Sequence, residues 1–132
     1  MLADDPLGSI REGATPEAYG SAFDLIDADP NQLLACLVTE PGAVVGMLQL
    51  TTIPGLSRGG ALRGQIEAVR IHSAHRGAGL GSPFLQWAVD EARRRGCVLV
   101  QLTTDRSRAD AHRFYERLGF VDSHLGFKLV LT

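Results

Sequence analysis

Residues 76–82 read Arg76-Gly77-Ala78-Gly79-Leu80-Gly81-Ser82, three alternating glycines behind an arginine. Binding a pyrophosphate takes several inward-pointing backbone N–H groups, and the main chain must come close without Cβ atoms in the way. A helix start adds unpaired N–H groups and a partial positive charge. Arg76 supplies a cation able to fork onto phosphate oxygens. The segment lies between a strand-like run and an amphipathic helical pattern, so the parts of an anion cradle occur in the required order.

Three other readings compete with the cradle. A plain structural turn needs fewer glycines and no arginine. A dinucleotide fingerprint, G-x-G-x-x-G/A, opens the first parallel βαβ unit. Here Ser82 follows Gly81 and the loop stands in the second half of the chain, although Asp105 lies at roughly the acidic residue's usual distance. A Walker loop is excluded by the missing Gly-Lys-Ser/Thr. Another pyrophosphate carrier remains, with coenzyme A the leading candidate.

The elements that position this loop follow from periodicity and punctuation. Thr15 and Pro16 start a helix over 16–29, with Ala18, Ala22, Leu25 and Ile26 at helical spacing. Strands are expected over 33–39 and 43–53, joined by the turn Glu40-Pro41-Gly42 into an antiparallel hairpin. A loop over 54–60 precedes a long strand over 61–72, on which alternation puts Gln65, Glu67, Val69 and Ile71 on one face. Residues 83–95 form an amphipathic helix with Phe84, Leu85, Ala88, Val89 and Ala92 as its buried stripe and Gly96 as its stop. An apolar strand over 98–104 follows, then a helix through Leu118 that begins at a capping box, Ser107-Arg108-Ala109-Asp110. Residues 120–132 supply one or two closing strands. The order gives an α/β (α+β) fold with a mixed sheet, in a single domain over 1–132.

Composition narrows the function classes. The 132 residues are 45% hydrophobic and 21% charged with net charge −2, which lacks the basic footprint of nucleic-acid binding. Arg93, Arg94 and Arg95 close a helix, where cations suit its dipole. Cys36 and Cys97 show no CxxC spacing and no clustered histidines, so no disulfide framework or metal site is expected, and both read as buried small apolar residues. No apolar run reaches the ~20 residues of a membrane span, and Met1-Leu2-Ala3-Asp4-Asp5 lacks the basic region of a signal peptide, so a cytoplasmic location is the default.

Two segments together resemble the GNAT superfamily of N-acetyltransferases. Arg76-Gly77-Ala78-Gly79-Leu80-Gly81 fits its R/Q-x-x-G-x-G/A pyrophosphate motif, and Ile66-Glu67-Ala68-Val69-Arg70-Ile71 looks like the family's fourth strand. Phe114-Tyr115-Glu116-Arg117-Leu118-Gly119-Phe120 resembles its second signature, aliphatic-Tyr-Glu-x-x-Gly-Phe, one helix and one strand further on. The resemblance covers about residues 30–132 firmly and implies a mostly antiparallel sheet splayed between the family's fourth and fifth strands.

By that resemblance, acetyl-CoA is the cosubstrate, and a primary amine attacks its thioester directly in a ternary complex. Backbone groups of Val69 and Ile71 would pair with the pantetheine arm, and the amides of Arg76, Gly77, Ala78, Gly79, Leu80, Gly81 and Ser82 would hold the pyrophosphate. Tyr115 matches the family tyrosine that protonates the departing thiolate; a phenol with pKa ~10 stays protonated at neutral pH. Glu67, placed beside Val69 and shielded from water, is the candidate base; the plainer alternative pairs it with Arg63, Arg70 or solvent. His72 and His75 are weaker candidates. The alternative function is a non-catalytic acyl-CoA-binding sensor or interaction module. The sequence departs from the family at Arg108, where many members carry Asn, and ahead of Leu2–Gly8, where members usually have a strand and a full first helix; the first strand is expected to be absent. A homodimer is expected, since many relatives form one.

Overall fold

The computed structural model describes residues 12–132. The expected absence of a first strand ahead of residues 2–8 concerns a region outside the described residues. The chain divides into two compact units, one ending at Gln101 and one formed by Leu102–Thr132.

The first unit opens with helix α1, Pro16–Ala28, whose Thr15 cap accepts a hydrogen bond from the Ala18 N–H at 3.3 Å. Pro16 fits the first helical position because its absent N–H would have been unpaired there. The helix forms as expected, but its stripe is not buried. Ile26 is half-covered, while Ala18, Ala22 and Leu25 are exposed.

Strands β1 (Gln32–Thr39), β2 (Ala43–Pro54), β3 (Leu62–Ile71) and β4 (Leu99–Gln101) form one sheet in the order β1-β2-β3-β4. The first three are antiparallel neighbours, and β4 pairs parallel to β3. Between β2 and β3 the chain turns through Ser57–Gly60, where Arg58 and Gly59 take left-handed backbone angles.

One sheet face is the core. Leu48, Leu50 and Ile66 pack there under helix α2, Gly81–Arg94, which contributes Phe84, Leu85, Ala88 and Ala92. Val89, the fifth member of the expected stripe, is half-buried. The layers meet closely at Gly64, where an added Cβ would lie 3.2 Å from the Ala92 Cβ and 3.4 Å from Leu50 Cδ1. Thr52 brings a hydroxyl to this face, bonded 3.0 Å from Asn31 Oδ1.

The opposite face is polar. Gln49 and Thr51 both donate to Gln32 Oε1, at 2.9 and 2.8 Å, and Gln101 donates to Gln65 Oε1 at 2.8 Å. Cys36 pairs with Met47 on this side and is exposed, while Cys97 is half-buried, so neither is the buried small residue expected. The polar face of β1 offers Cys36 no covering layer within its unit.

α2 ends as anticipated, with Gly96 at φ 91° and its N–H on the Arg93 carbonyl at 3.0 Å. The arginines there are neutralised locally. Arg93 pairs with Asp90 at 2.6 Å, while Arg94 and Arg95 converge on Glu91 at 2.6 and 2.9 Å. The hydrogen bonds from Arg94, then those from Arg95, hold the Glu91 carboxyl down to about 2. A folded pKa below the unfolded one stabilises the protein above the unfolded value, and that stabilisation fades as pH falls from ~4.5 toward 2. Glu91→Gln is therefore expected to lower the melting temperature at pH 7. The gap to wild type should narrow as pH drops below ~4.5, which parallel thermal melts would read.

The second unit holds helix α3, Ala109–Arg117. The capping box over 107–110 does not form: Arg108 occupies the cap position without a side-chain bond. Asp105 Oδ1 instead accepts from the Ser107 N–H at 3.0 Å and its hydroxyl at 2.7 Å, a turn that satisfies the serine before the helix begins. Residues 120–132 carry no strand pairing, contrary to the expected closing strands.

Candidate functional site

β4 pairs with β3 at three rungs only: Arg63–Leu99, Gly64–Val100 and Gln65–Gln101. Beyond Gln65, β3 runs on to Ile71 with no strand on that edge among the described residues. The pairing of β3 with β4 thus ends at the Gln65–Gln101 rung. The amide bridge between those two side chains sits at this last rung, with Arg63 Nη1 a further 3.5 Å from Gln101 Oε1.

A bulge lies along the open stretch. Gln49 faces Glu67 and Met47 faces Arg70, so Leu48 stands against both Ala68 and Val69. Ala68 takes φ 54°, left-handed and costly for a residue with a Cβ. The extra residue breaks the alternation expected along β3. Directly opposed residues share a face, so Glu67 keeps the polar face with Gln65, and Arg70 joins them. Ile71 pairs with Gly46 on the core side. Glu67, Val69 and Ile71 therefore do not line one face. Bulges of this kind bend a strand and re-aim its side chains.

Ala68→Gly removes the left-handed penalty. It is expected to hold or raise stability by up to ~1 kcal/mol, where the same change in a regular strand costs ~0.5–1 kcal/mol. Ala68→Val should destabilise, because a β-branched residue resists that conformation; denaturant midpoints separate the three chains.

Past Ile71 the chain makes a short 3-10 turn, Ser73–His75. His72 Nδ1 accepts from the Ala74 N–H at 3.1 Å and caps this turn, and its ring meets His75 edge-on at 6.2 Å. His72 thus has a structural task here. Arg76 Nε donates to the Ile71 carbonyl at 3.1 Å, tying the loop back to the end of β3.

Gly77 and Gly79 follow at φ 80° and 76°. Each left-handed glycine is followed by a residue outside that region, the kind of succession from which anion-binding nests are built. An added Cβ at either glycine would meet nothing within 4 Å, so the space over the loop is open. α2 then begins at Gly81, two residues earlier than expected, with Leu80 at its cap and no side-chain bond there. The N–H groups of Gly81 and Ser82 are first-turn donors. Pro83 has none to offer, and Phe84 bonds back to Leu80 at 3.3 Å. The loop and helix mouth therefore present first-turn N–H donors beside the open space over the glycines.

Glu67 is exposed, so it lacks the shielding expected of a buried base. In the second unit, Tyr115 is half-buried on α3, its ring edge-on to Phe114 at 5.2 Å and to Phe120 at 5.8 Å. Arg108 is exposed at the helix cap, and nothing in the structure explains its side chain. Among the described residues no three His, Cys, Asp or Glu gather to hold a metal, and no helix is long and apolar enough to cross a membrane.

A mixed sheet with an open stretch of β3 leading into a glycine-rich helix mouth matches an acetyltransferase fold. The crystal structure of glucosamine-6-phosphate N-acetyltransferase from Arabidopsis thaliana shares it, with TM-score 0.78 over 91% of this chain and 81% of that one at 20% identity. The profile of the acetyltransferase (GNAT) family matches residues 4–120. Aminoalkylphosphonate N-acetyltransferase of Salmonella typhimurium is 38% identical over 112 residues, 85% of this chain and 70% of that protein. Glucosamine 6-phosphate N-acetyltransferase of Trypanosoma brucei brucei is 37% identical over 79 residues, 60% of this chain and 52% of that protein. A crystal structure described as a transcriptional regulator from Bacillus halodurans C-125 superposes with TM-score 0.93 at 48% identity, covering 99% of this chain and 89% of that one. The chain belongs to the GNAT family of acetyltransferases, enzymes that use acetyl-CoA as cosubstrate.

Proposed function

We propose that this protein transfers an acetyl group from acetyl-CoA to the primary amine of a small molecule bearing a phosphonate or phosphate, by direct attack in a ternary complex. The observation that carries the first half is the open, left-handed glycine loop at the mouth of α2, beside the unpaired edge of β3. The amides over 76–82 hold the diphosphate, and the backbone of Val69 and Ile71 meets the pantetheine arm. The acceptor class is supported by the two relatives, whose names each join an amine to a phosphorus oxyanion. Arg63 and Arg70, on the same sheet face as Glu67, offer charge of the matching sign.

The amine must lose a proton before its nitrogen attacks the thioester carbon. Glu67 takes that proton, directly or through water, and its exposure suits the water route. As the C–S bond breaks, the Tyr115 phenol gives its proton to the departing sulfur.

Release of free thiol from acetyl-CoA, measured across a panel of amines, tests the reading. An aminoalkylphosphonate is expected to exceed the unsubstituted amine of equal length by at least ~10-fold in kcat/KM, the effect of one charged contact. Equal rates would remove the acceptor class. The second reading, a non-catalytic acyl-CoA sensor, is favoured by the regulator description of the Bacillus halodurans structure. Tight CoA binding with no thiol release from any amine would select it.

A further inference from the structure

Gln32, Thr51, Gln65 and Gln101 stand opposite one another in a single row across all four strands, on the polar face of the sheet. The next row on that face holds Leu34, Gln49 and Glu67. All four glutamines are half-buried. A side-chain amide has an accepting end and a donating end, so a bond made by one end decides which end is left for a ligand.

The bonds along the rows set opposite ends free. Gln32 Oε1 accepts from Thr51 Oγ1 at 2.8 Å and from Gln49 Nε2 at 2.9 Å, which uses both of its lone pairs. Gln49 thus commits its nitrogen and keeps its oxygen as an acceptor, on the residue directly opposed to Glu67. On the other side of the row, arginine can only donate, so Arg63 Nη1 faces the Gln101 oxygen, 3.5 Å away. The Gln101 nitrogen then donates to Gln65 Oε1 at 2.8 Å. Gln65 has spent its oxygen and keeps N–H donors, polarised by the guanidinium through the intervening amide.

We infer that Gln49 and Gln65 read the two ends of the acceptor: the Gln49 oxygen joins Glu67 in holding the ammonium, and the Gln65 N–H groups meet the phosphorus oxyanion. This rests on the acetyl-transfer reading above and adds the direction in which the acceptor lies. The two residues are diagonal neighbours on β2 and β3, ~7–8 Å apart by ordinary sheet geometry, a separation that one short zwitterion bridges. A zwitterion lying the other way would set its ammonium against N–H donors and its oxyanion against two acceptors, and both contacts repel.

Gln49→Met and Gln65→Met keep side-chain length and remove the polar ends. With thiol release from acetyl-CoA as the assay, Gln49→Met is expected to raise KM about 10-fold for both 2-aminoethylphosphonate and ethylamine, which share the ammonium. Gln65→Met should raise KM about 10-fold for 2-aminoethylphosphonate and about twofold or less for ethylamine. Gln49→Glu, which restores an acceptor oxygen, should recover most of the loss. A general defect in the sheet would weaken both amines alike in both variants and would not be rescued.

Because either variant could lose its fold, a second measurement uses isotope-labelled wild-type protein saturated with CoA and follows the side-chain amide resonances. Shifts at Gln49 and Gln65 with 2-aminoethylphosphonate, and at Gln49 alone with ethylamine, support the assignment. Equal KM changes for the two amines in Gln65→Met, or Gln49 and Gln65 resonances that stay unmoved, overturn it. If those resonances shift as expected while no amine releases thiol, acetyl transfer fails and the orientation of the bound zwitterion stands.

Discussion

Tyr115→Phe is expected to lower kcat by ~10²–10³-fold and to leave the KM for acetyl-CoA within about twofold. The substitution deletes one oxygen and keeps the ring. Phe114 and Phe120 both meet that ring edge-on, so these ring contacts survive the change. What disappears is the acid proposed for a sulfur that must leave as thiolate or thiol. A thiol ionises near ~8.5, so thiolate is a tolerable leaving group unaided, and the loss stops short of the ~10⁴ that general acids can contribute. Tyr115→Ala would add a packing defect, lowering stability as well as rate. Comparing the two variants by melting and by turnover separates acid from core residue. An unchanged kcat in Tyr115→Phe would move the acid elsewhere.

Gly79→Val is expected to reduce kcat/KM for acetyl-CoA by about 30–100-fold, equivalent to ~2–3 kcal/mol. Two effects add. Gly79 sits at φ 76°, where a β-branched residue is a steric outlier costing ~1–2 kcal/mol. The isopropyl group would also project into the open space over the loop, where the diphosphate is proposed to lie. The loop is exposed ahead of α2's first turn, away from the Leu48, Leu50 and Leu85 core, so the fold should persist. Acetyl-pantetheine, which carries the thioester without a diphosphate, provides the internal control. Its slower turnover should respond much less to the substitution. Equal losses with both thioesters would mean that the change distorts the acceptor region or the sheet, and that the loop holds no diphosphate.

The parts of this site that could be read from the sequence are those for which residue type and local conformation are nearly synonymous. Gly77 and Gly79 are glycines because the backbone there is left-handed, and Gly96 stops α2 for the same reason. The stripe of α2 was legible because Phe84, Leu85, Ala88 and Ala92 recur at helical spacing and meet one sheet face. Ala68 shows the opposite case. Alanine has no preference for a left-handed bulge, and the register that puts Leu48 against two residues is a property of two strands together. Period-two alternation therefore carried Glu67, Val69 and Ile71 onto one face, and the bulge separates them.

The start of α3 failed for a related reason. Ser107 and Asp110 have the spacing of a capping box, but Asp105, two residues before Ser107, offers its carboxylate first. Local side-chain bonds compete, and spacing alone does not rank them. Gln65 and Gln101 were invisible as a pair because they lie far apart along the chain and meet only through the last rung of β3 and β4. Glutamine, unlike glycine or proline, leaves no local trace of such a role. The tail over 120–132 reads as strand by composition, but no strand pairing forms there.

The central claim is that backbone amides at the mouth of α2 grip a diphosphate. Titrating CoA into isotope-labelled protein and following each amide resonance tests it residue by residue. The largest shifts are expected at Gly77, Gly79, Gly81 and Ser82, and pantetheine, which lacks the diphosphate, should leave those four in place. CoA binding that shifts other amides while these stay unmoved would contradict the account.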